Sequence, residues 1–272
     1  MFKKIALTAL AACLFSVNSY AADKVIRLAT TTSTDNSGLL AHVLPPFEKQ
    51  TGYTVHVIAV GTGKALRMGE DGDADVLLVH ARSREEKFIK EGHGVNRRDV
   101  MYNDFLIAGA KADPAKVKGK KTVSEVMKAI HAQGDNTAFV SRGDNSGTHF
   151  KEKGLWEAAG VKPTGKWYRE AGQGMGAVLR IADQMNAYVL VDRGTWLASK
   201  AKLELTELFS GDTKLFNPYG IIAVNPEKYN NINYTGAMAL VTWFTSVEGQ
   251  KLISEFKING EQLFIPVAAR TK

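Results

Sequence analysis

The stretch "KVIRLATTTSTDNSGLLAHVLPPFEKQTGYTVHVIAV", residues 24–60, decides the fold class. Residues 24–30 read as a strand, and "NSGLLAHVLPPFEKQTG" reads as a helix with a glycine stop. "YTVHVIAV" (53–60) alternates as the next strand. The pattern then repeats, with a helix in "GTGKALRMGEDG", a buried strand in "ADVLLVHA" (74–81) and a charged surface helix in "SREEKFIKEG". Strands and helices alternating at this spacing predict a parallel α/β sheet with helices on its faces.

Further along, "YNDFLIAGA" (102–110) is strand-like and "TVSEVMKAIHAQG" helical. "NTAFVS" (136–141), "KWYREA" and "NAYVLVDRGTWLA" read as strands, with the helix "MGAVLRIADQM" between the last two. After the extended "LFNPYGIIAVNP" (215–226), the run "YTGAMALVTWFTSVEGQKLISEFKING" reads as helix to the end. No internal repeat or low-complexity linker interrupts the chain. Two extended crossings, near 102–110 and 215–226, bracket a middle block. That layout suits two α/β lobes, with a chain that leaves one, builds the other and returns. The boundaries expected are 23–105 for the first part of lobe 1, 106–217 for lobe 2, and 218–272 for the return to lobe 1. A ligand would lie between the lobes, at the strand C-termini.

The first 22 residues stand apart. Two lysines, an apolar run from Ile5 to Val17 and the small-x-small Ser19-Tyr20-Ala21 make a secretory signal peptide, too short and wrongly flanked for a spanning helix. A competing reading takes Leu10-Ala11-Ala12-Cys13 as a lipoprotein box with Cys13 lipidated, but the apolar run continues past Cys13. The expected compartment is the periplasm. Cys13 is the only cysteine of the 272 residues, so a cleaved chain has no thiol nucleophile, zinc-thiolate site or iron–sulfur site. Six scattered histidines form no H-x-x-x-H or H-E-x-x-H pattern, and no cofactor or metal cation is expected. The net charge of +7 is spread along the chain, without the clustered basic stripe and interleaved aromatics of a nucleic-acid binder. A mild positive field does help an anion to arrive.

Four segments share the order strand, Gly/Ser/Thr-rich turn, helix: "ATTTSTDNSG" (29–38), "VGTGKAL" (60–66), "SRGDNSGTHF" (141–150) and "AGQGMGAVL" (171–179). Each offers backbone N–H groups and short hydroxyls at a helix N-terminus, where an oxyanion is well held. Ser and Thr are also ordinary caps and Gly an ordinary turn residue, so one segment alone says little. Four together, divided between the two expected lobes, point to an anion cleft. Arg142 adds a guanidinium able to donate two parallel hydrogen bonds to an oxyanion, with Asp144 two residues on as its partner.

Lookalikes carry less. "GTGK" has Ile58 and Ala65 where a phosphate-binding P-loop needs Gly and Ser or Thr. "GQGMGA" (172–177) fits a dinucleotide fingerprint, with Asp192 near the right distance, but sits mid-chain in an exported protein. "RGD" is three common residues. Ser33, Ser141 and Ser146 lie in no G-x-S-x-G, and of the bases His80 and His149 the first ends a buried strand as a satisfied wall residue. Catalysis is poorly supported.

The strings "ATTTST", "VGTGKAL" followed by "GDADVLLVHA", "VMYNDFLIAG" with "DP" shortly after, and "SRGDNSGTH" occur in family order. Over about 23–272 the chain resembles the periplasmic tungstate-binding proteins of Tup-type ABC transporters. That resemblance implies a type II periplasmic binding fold, two α/β lobes joined by two crossing segments and closing on tungstate. It also implies delivery to an inner-membrane ABC permease with its ATPase; the protein is expected to be a monomer and to bind no nucleic acid. The family's TTTS segment falls on Thr30, Thr31, Thr32 and Ser33, and its GTG turn on Gly61, Thr62 and Gly63. Its binding arginine matches Arg142, and its hydroxyl and amide cluster matches Ser146, Gly147 and Thr148. The ligand-binding set expected is thus Thr31, Thr32, Ser33, Gly61, Thr62, Arg142, Ser146, Gly147 and Thr148.

The same loop is similar to the R-x-D-x-S-G-T stretch of phosphate-binding proteins. Phosphate near neutral pH carries a proton and wants an acceptor, a part Asp144 could take, whereas tungstate and molybdate want donors only. Against phosphate, "DVLLVHA" ends at His80 where phosphate binders carry an acid. Phosphate and molybdate remain the alternatives, with a periplasmic enzyme on a phosphorylated small molecule, using His149 as acid or base, behind them.

Overall fold

The computed structural model describes residues 24–268; the expected signal peptide and Cys13 lie outside them. The chain opens with β1 (Val25–Thr31), the short α1 (Thr32–Asn36), α2 (Leu39–Thr51), β2 (Thr54–Val60), α3 (Thr62–Asp71), β3 (Val76–Val79) and α4 (Arg82–Lys90). The long β4 (Gly94–Gly109) follows. The middle block holds α5 (Val123–Ala132), β5 (Phe139–Ser141), α6 (Gly147–Ala158), β6 (Tyr168–Glu170), α7 (Met175–Gln184), β7 (Tyr188–Asp192), α8 (Arg193–Ser199) and β8 (Thr206–Phe209). The return is β9 (Phe216–Val224), α9 (Tyr234–Thr245), α10 (Val247–Glu255), the small hairpin β10 (Lys257–Ile258) and β11 (Glu261–Gln262), and β12 (Ile265–Pro266).

The main strand order is β2-β1-β3-β9-β4-β7-β5-β6, with β8 and β12 also pairing on β4. β1 runs parallel to both β2 and β3. All four residues of β3 are buried, as expected of a central strand covered on both faces. β9 is antiparallel to β3 and to β4, so β3 and β4 point the same way. β4 spends Gly94 to Asp104 paired with β9, and from Phe105 onward pairs antiparallel with β7 and β8. β5 lies parallel to β7 and to β6.

These directions fix where the turns meet. β1 and β3 run with β4 and end toward the β7 sheet, while β7 and β5 run against β4 and end toward the β1 sheet. The C-terminal ends of the two parallel sets therefore face one another across the crossing strands β4 and β9. The β1 side is packed by Ile26, Leu28, Leu39, Val43, Phe47, Leu240 and Phe244. The middle block has its own core, in which Phe139 and Trp167 meet Trp156 edge-on at 5.1 and 5.5 Å between ring centroids.

Three expectations are corrected. β4 begins at Gly94, because "GVNRRD" is a mostly polar stretch held as strand by pairing with β9, not by an apolar face. The strand read through "NAYVLVDRGTWLA" stops at Asp192, whose carboxylate accepts the Thr195 N–H at 2.8 Å and caps α8. The C-terminal helical run breaks at Ser246, which ends α9 and caps α10, and helix stops at Glu255.

Candidate functional site

Each of the four Gly/Ser/Thr turns leads into a helix: α1 after 29–31, α3 after 60–61, α6 after 141–146 and α7 after 171–174. The first and second turns belong to the β1 side of the cleft, the third and fourth to the β7 side. α3 and α7 are headed by the caps Gly61 and Gly174, which have no side chain to give, so among the described residues the first N–H groups of both helices have no partner.

The third turn is the most built. Asp144 Oδ2 accepts from Arg142 Nη2 at 2.5 Å and from Nε at 3.1 Å. Asp144 Oδ1 accepts the Ser146 N–H at 3.1 Å. Burial alone would raise the Asp144 carboxyl, but hydrogen bonds from Ser146 and the pairing with Arg142 outweigh it and hold the group below the ordinary carboxylate value. Ser146 Oγ caps α6 by accepting the His149 N–H at 3.3 Å. His149 Nδ1 accepts the Asn145 N–H at 3.0 Å, so the neutral ring carries its proton on Nε2. Burial and then Lys153 push His149 below its ordinary value, in keeping with that neutral form. Asn145 takes the left-handed φ of 58° that this tight bend requires. Gly143, at φ 60°, has no room for a side chain: a Cβ there would stand 2.7 Å from Glu170 Cβ. With these acceptors assigned, the Gly147 and Thr148 N–H groups have no partner among the described residues. The fourth turn is tied to the third by Gly172 N–H donating to the Arg142 carbonyl at 2.8 Å.

In the first turn the three expected residues divide. Thr32 and Ser33 are exposed at the start of α1, but Thr31 is buried. Its Oγ1 accepts the Thr34 N–H at 3.2 Å and lies 3.1 Å from His80 Nε2. The direction of that last bond follows from the far side of the ring. Asn217 Nδ2 donates to Asn103 Oδ1 at 2.8 Å, which leaves Asn217 Oδ1 as the acceptor for His80 Nδ1 at 3.1 Å. His80 therefore carries its proton on Nδ1, and Thr31 donates to the bare Nε2. Burial pushes His80 below its ordinary value, which keeps this tautomer neutral. Thr30 is likewise turned inward, donating to the Leu78 carbonyl at 2.7 Å.

Sequence reasoning did not anticipate this relay. Asn103 on β4 and Asn217 on β9 are register partners, so it runs from the first turn through His80 to both crossing strands. Its visible signal is an asparagine near the start of each crossing segment, Asn103 in "YNDFLIAGA" and Asn217 in "LFNPYGIIAVNP". A second unanticipated link is Lys151 of α6, whose Nζ donates to the Phe216 carbonyl at 2.9 Å. A third is Glu152, buried beneath the third turn, which accepts from Tyr168 OH at 2.6 Å and Trp156 Nε1 at 3.2 Å.

The assembled donors are neutral N–H groups, short hydroxyls and one guanidinium, and Asp144, the acid within the third turn, already accepts from Arg142 and Ser146. Such a set can grip an anion.

Residues 18–248 match the PBP superfamily domain. The tungstate-binding protein TupA of Peptoclostridium acidaminophilum is 51% identical over 249 residues, covering 90% of this chain and 86% of that protein. Among solved structures, the tungstate-binding protein TupA from Desulfovibrio alaskensis G20 superposes with a TM-score of 0.84 at 45% identity, covering 89% of this chain and 98% of that one. The tungstate ABC transporter structure from Geobacter sulfurreducens gives 0.75 at 54% identity over 86% of this chain and 100% of that one. The fold is thus the type II periplasmic binding fold, and the chain belongs to the PBP superfamily and, within it, to the family of TupA-type tungstate-binding proteins.

Proposed function

We propose that this protein captures tungstate in the cleft between its two sheets and delivers it to an inner-membrane ABC permease driven by an ATPase. It acts as a monomeric periplasmic binding protein, exported by the signal peptide of residues 1–22, and performs no catalysis. The lobes divide near 105/106 and 217/218, where β4 and β9 cross.

The observation that carries this reading is the donor-only character of the third turn. Arg142 is aimed by Asp144, and the unclaimed Gly147 and Thr148 N–H groups head α6. The Thr32 and Ser33 hydroxyls and N–H groups and the uncapped Gly61–Thr62 start of α3 supply the opposite bank. Ser146 contributes by shaping the cap, and Thr31 by holding the first turn. Both Asp144 oxygens accept from Arg142 or Ser146, which favours a fully deprotonated tetrahedral oxyanion over protonated phosphate. Each hydrogen bond to a charged acceptor contributes about 1.5–3 kcal/mol, so a handful supports tight binding after closure costs. Helices α1, α3, α6 and α7 add their N-terminal dipoles.

A thermal-shift series on ligand-stripped protein tests the reading. Tungstate should raise the melting temperature by several degrees, because a ligand that binds only the folded state stabilises it by RT ln(1 + [L]/Kd). Molybdate, of equal charge and nearly equal size, is the discriminating second ion. A shift with phosphate and none with tungstate contradicts the proposal.

A further inference from the structure

We propose that Arg84 and Phe150 form a latch across the mouth of the cleft, which draws the oxyanion in and sets how fast it leaves. The inference rests on the oxyanion reading above. Arg84 stands near the start of α4, a helix whose neighbours are α3, β4 and β9 on the β1 side. Phe150 stands near the start of α6, whose neighbours are α5 and β7 on the other side. The two residues nevertheless meet: the Arg84 guanidinium carbon is 5.5 Å from the Phe150 ring centroid. That distance is within reach of a cation–π attraction.

Three observations separate this contact from an incidental surface one. First, the Phe150 ring is approached by cations from both banks, since Lys153 Nζ of α6 is 4.6 Å from the same centroid. A single exposed aromatic needs no explanation, but Phe150 is 48% exposed and its face is used. Second, Arg84 lacks the carboxylate partner its neighbours have. Arg82 pairs with Glu86 and Asp99, and Arg97 pairs with Glu85 and Asp99. Among the described residues, Arg84 has no acid within ion-pair distance. Third, Arg84 Nη1 lies 3.7 Å from where a Cβ on Gly63 would stand, so the guanidinium sits beside the second turn. It lies between that turn on one bank and the residue two beyond Thr148 on the other.

An unneutralised cation in that position has two consequences. While the cleft is open, its field raises the arrival rate of a doubly charged anion, and salt weakens the effect. Once the lobes meet, the ring quadrupole holds the cation, and the contact must break before the cleft reopens. Arg84 and Phe150 thereby act on rates from the rim, without needing to touch the ion.

The experiment measures both rates on the full mature chain. Protein loaded with ordinary tungstate is mixed with excess tungstate enriched in one tungsten isotope, and mass spectrometry of the recovered protein gives the dissociation rate. Stopped-flow tryptophan fluorescence at two salt concentrations gives the association rate. Phe150→Leu should dissociate roughly two- to fivefold faster with an unchanged association rate. Arg84→Gln should dissociate faster by a similar factor and associate more slowly at low salt only, whereas Arg84→Lys keeps the low-salt association rate. The double variant should dissociate no faster than the faster single one, because both remove the same contact. Dissociation unmoved by Phe150→Leu, or single effects that multiply in the double variant, overturns the latch. Wild-type protein that takes up no tungstate overturns the oxyanion reading, and the latch with it, before any variant is compared.

Discussion

Thr31→Val tests the division of labour inside the first turn. Valine keeps the shape of threonine and removes only the hydroxyl. That hydroxyl caps α1 through the Thr34 N–H and donates to His80 Nε2, whose other nitrogen is held by Asn217. Losing a threonine cap costs about 1 kcal/mol. Leaving the buried Nε2 acceptor without a donor costs roughly 1–2 kcal/mol more. The expected loss is therefore about 2–3 kcal/mol, or a melting temperature lower by roughly 5–10 °C for a chain of this size. Tungstate affinity should fall less than tenfold, because the Thr31 proton already belongs to His80. Ser33→Ala should do largely the reverse: Ser33 is exposed and loses only its bond to Thr31 Oγ1 at 3.1 Å, so stability falls by less than about 1 kcal/mol while affinity drops by roughly tenfold for one charged hydrogen bond. Urea or thermal melts read the first quantity and titration calorimetry the second. A Thr31→Val protein with an unchanged melt and no tungstate binding would refute the reasoning, since it would make Thr31 a ligand donor and reverse the His80 tautomer.

Arg142→Ala should weaken tungstate binding at least tenfold, and Arg142→Lys should recover only part of it, because a single ammonium cannot reproduce the fork; calorimetry decides. Both His80 and His149 sit below their ordinary values, so the unfolded chain takes up more protons than the folded one as pH drops. Stability should be fully present above about pH 6.5 and decline as pH falls toward the folded-state values, and His80→Gln should flatten part of that decline in melts at pH 7.5 and 5. Gly220→Ala should destabilise by about 2–4 kcal/mol in urea melts, because its Cβ would stand 2.4 Å from Glu85 Oε2 and 2.6 Å from Arg97 Nη2, forcing apart a buried ion pair.

Much of the fold is written locally. β1, β2 and β3 announce themselves by apolar runs between Gly- and Ser-rich turns, and the four turns before α1, α3, α6 and α7 lie where short-range rules put them. The start of β4 is different: Asn96, Arg97, Arg98 and Asp99 have no strand pattern, Arg98 and Asp99 are strand through pairing with Ile221 and Gly220 of β9, more than a hundred residues on, and Asn96 and Arg97 fall in a register break between Val95 and Arg98. Asp192 misled in the other direction. Its aspartate three residues before Thr195 is a capping signal, outweighed in a reading by apolar content because Trp196 and Leu197 extend the apolar run. The site was legible as residue types and illegible as bond directions. That Arg142 would pair with Asp144 follows from spacing, but that Thr31 spends its proton on His80 depends on Asn217 and Asn103, which the fold brings in from the two crossing strands.

The measurement that bears most directly on the central claim is isothermal titration of ligand-stripped protein, residues 23–272, with tungstate, then molybdate, then phosphate, in phosphate-free buffer. The account predicts tight binding of tungstate at one site per chain and no phosphate heat. Phosphate binding with tungstate silent would contradict it, and would make Asp144 a proton acceptor in place of an anchor for Arg142.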